Sequence, residues 1–372
     1  MRRNAVSAGA AEAVKFFDFR GSIIDFRPFG NGHINDTYLV RFRYGGKTVK
    51  YIMQRINNGV FKNPEQVMSN IINVTSFLRN QIIDAGGDPE RETLNVIKTK
   101  DGKGFYIDGY GSFWRAFVFI ADAVSLDLPE DDNDFYQSAV AFGNFQHRLG
   151  SFPANELFET IPDFHNTPVR YDNLIKAIER NASGRADNAK AEIEFAKERR
   201  EFTNILEDSF AKGLIPKRVT HNDTKMNNVM LDKDTREPVC VVDLDTIMPG
   251  YSVNDFGDSI RFGASTAAED EKDLDKVHFS VEYFKAYAEG YVGAVRGSIT
   301  AKEAELLPYG AYLMTIECGM RFLADYLSGD TYFATKYEGH NLVRCRTQLK
   351  LVSEMEGKFE ETGKIVAEIL AK

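Results

Sequence analysis

The chain has 372 residues, of which 43% are hydrophobic and 27% are charged, an ordinary balance for a globular protein. Its length predicts two or three domain-sized units, and its net charge of −9 argues against general binding to nucleic acids or anionic membranes. The sequence shows no secretory signal and no apolar run long enough to span a membrane, and its three cysteines lack metal or disulfide spacing. We therefore expect a cytoplasmic protein that has reduced cysteines and no obligate protein partner.

The N-terminal region begins with about 15 alanine-rich residues, which we expect to be loosely ordered. Strands are then predicted over 22–29, 37–44 and 47–56 from their alternating apolar residues and glycine turns. The tight turn after the first strand contains Gly30 and Gly32, whose backbone N–H groups are candidates for binding nucleotide phosphates. The alternative is that these glycines only allow the turn.

A helix is predicted to begin at Asn63-Pro64, with Asn as N-cap and Pro at the first position, and to end at Gly86-Gly87. A hairpin over 96–107 and a strand over 113–120 complete a small α+β unit. The rest of the chain is predicted to be mainly helical. Helices are expected over 134–149, 191–210, 268–295, 301–328 and 340–371.

The most informative stretch runs from His221 to Thr246 and reads HNDTKMNNVMLDKDTREPVCVVDLDT. A polar loop is followed by two short apolar runs around a polar turn, and the second run ends in an acidic pair. This pattern predicts a loop, a β-hairpin and two carboxylates where the second strand ends. The loop, the hairpin and the acidic pair together resemble the phosphoryl-transfer core of the kinase superfamily. The alternative is a polar turn that precedes an ordinary hairpin.

Phosphoryl transfer needs an aligned hydroxyl, a fixed polyphosphate and cations that oppose the developing charge. Mg²⁺ prefers oxygen ligands, which Asn228, Asp243 and Asp245 can supply. Asp223 is the candidate base for the attacking hydroxyl, and Lys225 is a candidate contact to the transferred phosphate.

Asp255-Phe256-Gly257 spells the metal-binding motif of protein kinases, but no apolar strand precedes it. We therefore assign the metal-binding role to Asp243. Asp255 is predicted to brace the catalytic loop by accepting hydrogen bonds from the backbone or from His221, which itself is expected to hold the loop.

Arg321 lies in an apolar helical segment, where a charged side chain needs a partner. Two alternatives remain open from the residues alone. Arg321 either forms an internal ion pair with Glu317, four residues earlier, or contacts a substrate.

HNDTKMNN with VVDLDT, over a small N-terminal lobe and a helical C-terminal lobe, resembles the aminoglycoside phosphotransferase and choline kinase-like family. Six longer motifs are most similar to the members of that family that phosphorylate N-acetylglucosamine or N-acetylgalactosamine at the anomeric hydroxyl. They are GNGHIN, VTHNDTKMNN, DLDTIMPG, DFGDSIRFGAST, ECGMRFLADYL and YFATKY. The resemblance covers nearly the whole chain after the first 20 or so residues.

The resemblance implies an α+β, bilobal protein-kinase-like fold. Its small lobe (1–120) has an antiparallel sheet with one helix and binds nucleotide, and its larger lobe (121–372) is mainly helical and binds sugar. It implies ATP and Mg²⁺ as cofactors and a role in amino-sugar salvage. The hinge backbone near Ile120 is expected to meet the adenine. Asp223, His33, Arg321 and Tyr332 are expected to contact the sugar.

The third strand departs from the general kinase pattern, because Gln54 stands where kinases place a phosphate-binding lysine. Arg55, Lys50 or the Gln54 amide are candidates to replace that lysine. A kinase for an aminoglycoside, choline or a plain hexose is an alternative function. A pseudokinase that binds nucleotide without turnover is a further one, although Asp223, Lys225, Asn228 and Asp243 are all present.

Overall fold

The computed structural model describes residues 2–30 and 34–372, and it divides into a sheet-containing small lobe and a mainly helical large lobe. The strands are β1 (Ser22–Pro28), β2 (Asp36–Tyr44), β3 (Lys47–Arg55), β4 (Val96–Ile97), β5 (Tyr106–Ile107), β6 (Phe113–Val118), β7 (Ala123–Val124), β8 (Arg218–Thr220), β9 (Val229–Asp232), β10 (Pro238–Val241) and β11 (Met248–Gly250). The α-helices are α1 (Arg2–Ala13), α2 (Pro64–Asp84), α3 (Asp132–Arg148), α4 (Thr167–Arg180), α5 (Lys190–Glu198), α6 (Ile205–Ala211), α7 (Ser252–Gly263), α8 (Val281–Val295), α9 (Ala301–Ser328), α10 (His340–Glu356) and α11 (Phe359–Ala371).

The small lobe is built on an antiparallel sheet with the strand order β1-β2-β3-β6-β4, in which β5 also pairs with β6. The predicted hairpin over 96–107 is wrong in its pairing. Val96 in β4 and Tyr106 in β5 pair with different parts of β6 rather than with each other. The predicted turn is present, since Lys103 O accepts a hydrogen bond from Thr99 N at 2.8 Å.

The two faces of this sheet have different coverings. Helix α1 and the segment that follows it cover one face, where Ala13 and Phe17 pack with Trp114. The expected loose order of the first 15 residues is therefore wrong in the described part. Small residues allow the helix to approach closely, because a Cβ added at Gly9 would lie 2.4 Å from Asp108 Oδ2. The other face turns towards α2 and the large lobe and carries Gln54 and Arg115.

The connection between the lobes is itself part of a sheet, because β7 pairs with β9 of the large lobe. Helix α2 also joins the lobes. Its apolar face belongs to the same core cluster as the large-lobe helices, and its buried Asn70 donates hydrogen bonds to Phe158 O at 2.8 Å and to Ile247 O at 2.9 Å.

The large lobe is organised around α9, which packs against α7, α10 and α4. Thr300 and Glu303 form a capping box at the start of α9. Helix α7 crosses α9 at Gly257 and Gly310, and a Cβ added at Gly257 would lie 2.2 Å from Gly310 O. Glycine at Gly257 therefore permits a helix contact that any side chain would obstruct.

Three predicted helices are shorter in the structure. The helix over 191–210 is interrupted between α5 and α6, the one over 268–295 begins only at Val281, and the one over 340–371 breaks between α10 and α11 at Gly357. Helices α4 and α7 were not predicted. The overall α+β arrangement, with a small antiparallel sheet and a larger helical region, is confirmed. None of the helices in the described ranges combines the length and hydropathy of a membrane span.

Candidate active site

The stretch after β8 forms a compact loop around Asp223. Lys225 Nζ lies 2.9 Å from Asp223 Oδ1, and Asn228 Nδ2 donates to Asp223 O at 2.8 Å and to its Oδ2 at 3.2 Å. The chain makes this tight bend through Asn222, whose φ of 64° lies in the left-handed region that asparagine tolerates. Burial disfavours the charge on Lys225, but Asp223 outweighs that effect and raises the pKa of Lys225.

Hydrogen bonds from the loop backbone to Asp255 and His221 hold the loop in place. The two carboxylate oxygens of Asp255 accept hydrogen bonds from His221 N and Asn222 N, each at 2.8 Å. His221 Nδ1 accepts from Asp223 N at 3.2 Å, while its Nε2 donates to Val242 O at 2.9 Å. The bracing roles predicted for Asp255 and His221 are confirmed. Burial raises the pKa of Asp255 to about 6, although these two amides favour its charged form.

Asp243 follows β10 and has a φ of 59°, which turns the chain sharply. It is exposed at the lobe junction, but the surrounding protein removes part of its hydration, and the nearby charges of Asp245 and Asp223 add to this effect. Together these influences raise the pKa of Asp243 to about 6. No described residue donates a hydrogen bond to its carboxylate.

These features fit a bound Mg²⁺ ion. Asn228 uses its amide nitrogen to contact Asp223, which leaves its Oδ1 as a donor oxygen for a metal. The carboxylate of Asp243 lacks a cationic partner among residues 2–30 and 34–372. That part of the chain holds no cluster of three His, Cys, Asp or Glu side chains that could bind a metal by itself. Mg²⁺ does not need such a cluster, since it usually takes one or two carboxylates together with substrate phosphates and water.

Asp245 has a different environment from Asp243. It is buried, its Oδ2 accepts from Asn35 Nδ2 at 2.6 Å, and its Oδ1 forms an ion pair with the buried Arg115 of β6. Arg115 Nε in turn donates to Gln54 Oε1 at 3.0 Å. The predicted metal-binding role of Asp245 stays a prediction, and in this structure both of its oxygens are already engaged.

Arg321 does not form the internal ion pair that the sequence left open. Glu317 instead accepts from His165 Nδ1 at 2.9 Å and from Thr167 Oγ1 at 2.9 Å. Within the described part of the chain, Arg321 has no ion-pair partner. Its guanidinium lies 6.0 Å from the ring centre of Tyr332.

Two other basic side chains, His165 and Arg170, lie in the same region as Arg321, together with the carboxylate of Glu317. Both ring nitrogens of His165 face acceptors, because Nε2 donates to Asn222 O at 3.0 Å. Burial opposes a charge on this ring, but Glu317 outweighs it and raises the pKa of His165. Arg170 is also close enough for the charge of Arg321 to contribute to lowering its pKa, after burial.

The remaining predicted site residues lie in the small lobe and the linker. Gly30 has a φ of 74°, so the turn uses its freedom to adopt the left-handed region. Gly32 and His33 lie outside the described residues. Ile120 is buried against Val239 and Cys240 at the start of the linker. The nucleotide-binding and sugar-binding roles of these residues stay predictions.

Sequence reasoning missed the site residues Arg115, Asn35 and His165. Arg115 gave one signal, because it is the single charged residue within the apolar run FWRAFVFI. His165 lies in an irregular segment whose partners are distant in sequence, so nothing local identified it.

Residues 25–293 match the sequence profile of the phosphotransferase enzyme family (APH). The chain is similar in structure to an aminoglycoside phosphotransferase from Alicyclobacillus acidocaldarius, with a TM-score of 0.63, 11% identity and coverage of 96% of each chain. It is also similar to a microcompartment-associated aminopropanol kinase, with a TM-score of 0.58, 15% identity and coverage of 95% of this chain and 98% of the other. For a choline kinase from Cryptosporidium parvum the TM-score is 0.54, the identity is 13%, and coverage is 94% of this chain and 93% of the other. At these identities the likeness supports the protein-kinase-like fold alone.

Proposed function

Because the chain belongs to the phosphotransferase enzyme family, we propose that it is an N-acetylhexosamine 1-kinase of amino-sugar salvage. It transfers the γ-phosphoryl group of ATP to the anomeric hydroxyl of N-acetylglucosamine or N-acetylgalactosamine. Small-molecule kinase activity follows from the family. The sugar acceptor is our proposal and is supported by the motif resemblance and by the surroundings of Arg321.

The proposed reaction uses few residues. Asp223 accepts the proton of the attacking hydroxyl as the oxygen forms its bond to the γ-phosphorus and the bond to the ADP oxygen breaks. Lys225, 2.9 Å from Asp223, offers a positive charge beside the transferred group. Asn228 and Asp243 would hold Mg²⁺, which neutralises phosphate charge when it is bound.

The observation that carries the acceptor assignment is that Arg321 on α9 has no ion-pair partner among residues 2–30 and 34–372. Its five N–H donors are available for sugar hydroxyls and for the N-acetyl carbonyl, and Tyr332 offers a ring beside it. The carboxylate of Glu317, which would attract a cation, is already engaged by His165 and Thr167. A neutral, oxygen-rich acceptor therefore suits this side of the site.

A second class of acceptor comes from the names of the structural neighbours, which include an aminopropanol kinase and a choline kinase. Such substrates carry a positive charge and need an acidic or aromatic pocket. The positive charges of Arg321 and Arg170 oppose the charge of such substrates. We therefore expect amino alcohols and aminoglycosides to be poor acceptors.

The test is turnover on a panel of N-acetylhexosamines, plain hexoses, choline, aminopropanol and an aminoglycoside, with and without Mg²⁺. We expect N-acetylhexosamines to be preferred, and phosphorus NMR of the product should show coupling to the anomeric proton. Coupling to the C6 methylene protons, or faster turnover of an amine, would refute the assignment.

Arg321→Ala should raise the KM for the sugar about tenfold or more, because one buried polar contact contributes about 1–3 kcal/mol. The KM for ATP should stay unchanged. Arg180→Ala, at an exposed position of α4, is the matched control. An equal rise in both KM values for Arg321→Ala would instead indicate a structural role.

A further inference from the structure

The small lobe lacks the strand-three lysine that holds nucleotide phosphates in kinases, and Gln54 occupies that place. The structure shows that Gln54 is not a free phosphate ligand. Its Nε2 donates to Thr37 Oγ1 at 3.1 Å, and its Oε1 accepts from Arg115 Nε at 3.0 Å. Both ends of the amide therefore bind neighbouring strands, and the amide has no positive charge to offer to a phosphate.

The two cations considered from the sequence are also poor replacements. Arg55 is a cross-strand partner of Asp36 and forms an ion pair with it, on the opposite face of β3 from Gln54. Lys50 is exposed near the linker, and its Nζ lies 5.2 Å from the ring centre of Phe119.

Arg115 has the features that these residues lack. It is the cross-strand partner of Gln54, so its guanidinium projects from the same face of the sheet. Its side chain is 2% exposed and forms an ion pair with Asp245. Asp245 lies two residues after the metal-binding candidate Asp243. The guanidinium therefore lies between the sheet and the loop that would hold the metal.

Some N–H groups of the Arg115 guanidinium have no hydrogen-bond partner among the described residues. Arginine presents five N–H groups, and Arg115 contributes only its Nε to Gln54 and one amino group to Asp245 in the described structure. The remaining N–H groups suit phosphate oxygens, which the planar guanidinium binds with two parallel hydrogen bonds. Gln54 and Asp245 hold the guanidinium in place, Asn35 in turn binds Asp245, and part of the N–H groups of Arg115 stay without a partner among the described residues.

We propose that Arg115 on β6 replaces the strand-three lysine and binds the phosphates of the nucleotide, and that Gln54 and Asp245 position it. This inference rests on the proposed use of ATP but not on the identity of the sugar. It also assigns Gln54 a function, because a lysine there would place a second cation against Arg115. The phosphate-binding cation thus lies on β6 instead of the neighbouring strand β3.

The test compares the binding of ADP with that of adenosine, measured by calorimetry in excess chelator and without any acceptor. Arg115→Gln should weaken ADP binding about 10- to 100-fold, the range for hydrogen bonds to charged groups, and should leave adenosine binding unchanged. Arg115→Lys should give an intermediate loss, because it keeps the charge without the planar fork. Arg41→Gln, which breaks an exposed ion pair with Asp25 on the same sheet, is the matched control.

A relocation variant makes the test specific. In Gln54→Lys/Arg115→Gln the cation returns to strand three, and we expect at least half of the lost ADP affinity, on a logarithmic scale, to return. A merely structural role for Arg115 would affect ADP and adenosine equally and would not be rescued by this exchange. Melting curves without ligand show whether each variant is folded.

Three outcomes would overturn the inference. The inference would be refuted if Arg115→Gln bound ADP as tightly as the unaltered protein. If Lys50→Gln weakened the binding of ADP but not of adenosine, the phosphate-binding role would belong to Lys50. Equal losses for ADP and adenosine would show that Arg115 only supports the lobe. If the unaltered protein bound no adenine nucleotide, the proposed ATP-dependent function would fail instead, so the two failures are distinguishable.

Discussion

At the scale of single residues, the site depends on three acidic side chains that the protein places in different environments. Asp223 contacts Lys225 and Asn228, Asp243 has a raised pKa at the lobe junction, and Asp255 is buried beneath the loop. We propose Asp223 as the base and Asp243 as a metal ligand, whereas Asp255 braces the loop through its two backbone hydrogen bonds. Neighbouring charges and hydrogen bonds thus give the same functional group different environments.

Asp223→Asn should lower kcat about 10²-fold or more, since the amide cannot accept the proton of the hydroxyl. The substitution keeps the size of the side chain, so folding and nucleotide binding should persist. Steady-state kinetics, together with a melting curve and ADP titration, checks this expectation. Near-normal turnover in the folded variant would exclude Asp223 as the base.

Asp243 should make metal binding dependent on pH. Because its folded-state pKa is about 6, above the ordinary value of 3.8, the folded protein loses stability as pH rises through this window. Bound Mg²⁺ removes that penalty and competes with the proton. The Mg²⁺-induced rise in Tm should therefore be small near pH 5 and larger near pH 7.5, and Asp243→Asn should remove this difference.

Asp255→Ala provides the comparison, because Asp255 also has a pKa raised to about 6 but does not face the metal candidates. It should lower stability with and without Mg²⁺ by about 1–3 kcal/mol, since it leaves the amides of His221 and Asn222 unpaired. A loss of the Mg²⁺ response in Asp255→Ala, with an unchanged response in Asp243→Asn, would mean that the metal has been assigned to the wrong aspartate.

At the scale of elements, the segment after α9 is shaped by one side chain. The carboxylate of Asp325 accepts hydrogen bonds from the backbone N–H groups of Thr331, Tyr332 and Phe333, each at 2.9 Å. It also accepts one from the side-chain amide of Asn341 at 2.9 Å. After the end of α9 the backbone N–H groups no longer have helical acceptors, and the Asp325 carboxylate is the acceptor for three of them. It holds Tyr332 beside Arg321 although Tyr332 is 69% exposed.

Asp325→Ala should release this segment and raise the KM for the sugar about tenfold or more, while the KM for ATP stays within twofold. Glu338→Gln is the matched control, because Glu338 is an exposed acid in the same segment. Initial rates at varied sugar and varied ATP separate the two constants. A change confined to the KM for ATP would contradict a role for Asp325 in positioning the acceptor site.

At the scale of the whole molecule, the lobes are joined by more than the linker. Asn70 in α2 makes three hydrogen bonds to the large lobe, two as donor and one as acceptor from Phe158 N at 2.9 Å. The apolar residues of α2 share a core cluster with the large-lobe helices. Cooperative unfolding of both lobes is the expected consequence.

Asn70→Ala should lower the free energy of unfolding by about 1–3 kcal/mol, because it leaves the Phe158 and Ile247 backbone groups of the large lobe without their partner. Asn73→Ala, at an exposed position one turn along the same helix, is the control and should change little. Denaturant unfolding followed by two probes measures both variants. Equal stability of the two variants would show that the Asn70 contacts do not tie the lobes together.

The sequence by itself determined what depends on neighbours along the chain. The spacing of Asp223, Lys225, Asn228 and Asp243 predicted a phosphotransferase core, and the chain belongs to the phosphotransferase enzyme family. Hydrophobic periodicity and capping residues located most strands and helices, including α9 with the correct bounds. These patterns depend on residues close together in the chain, so they can be interpreted without knowledge of the fold.

Only the tertiary structure decided which distant residues meet. Arg115 pairs with Asp245 across 130 residues, and His165 pairs with Glu317 across 152. The second contact removed the local Glu317–Arg321 ion pair, because a buried carboxylate takes the partners that packing presents rather than those that are nearest in sequence. The breaks in three predicted helices have the same origin, since helical periodicity is a local preference and tertiary packing decides where a helix ends.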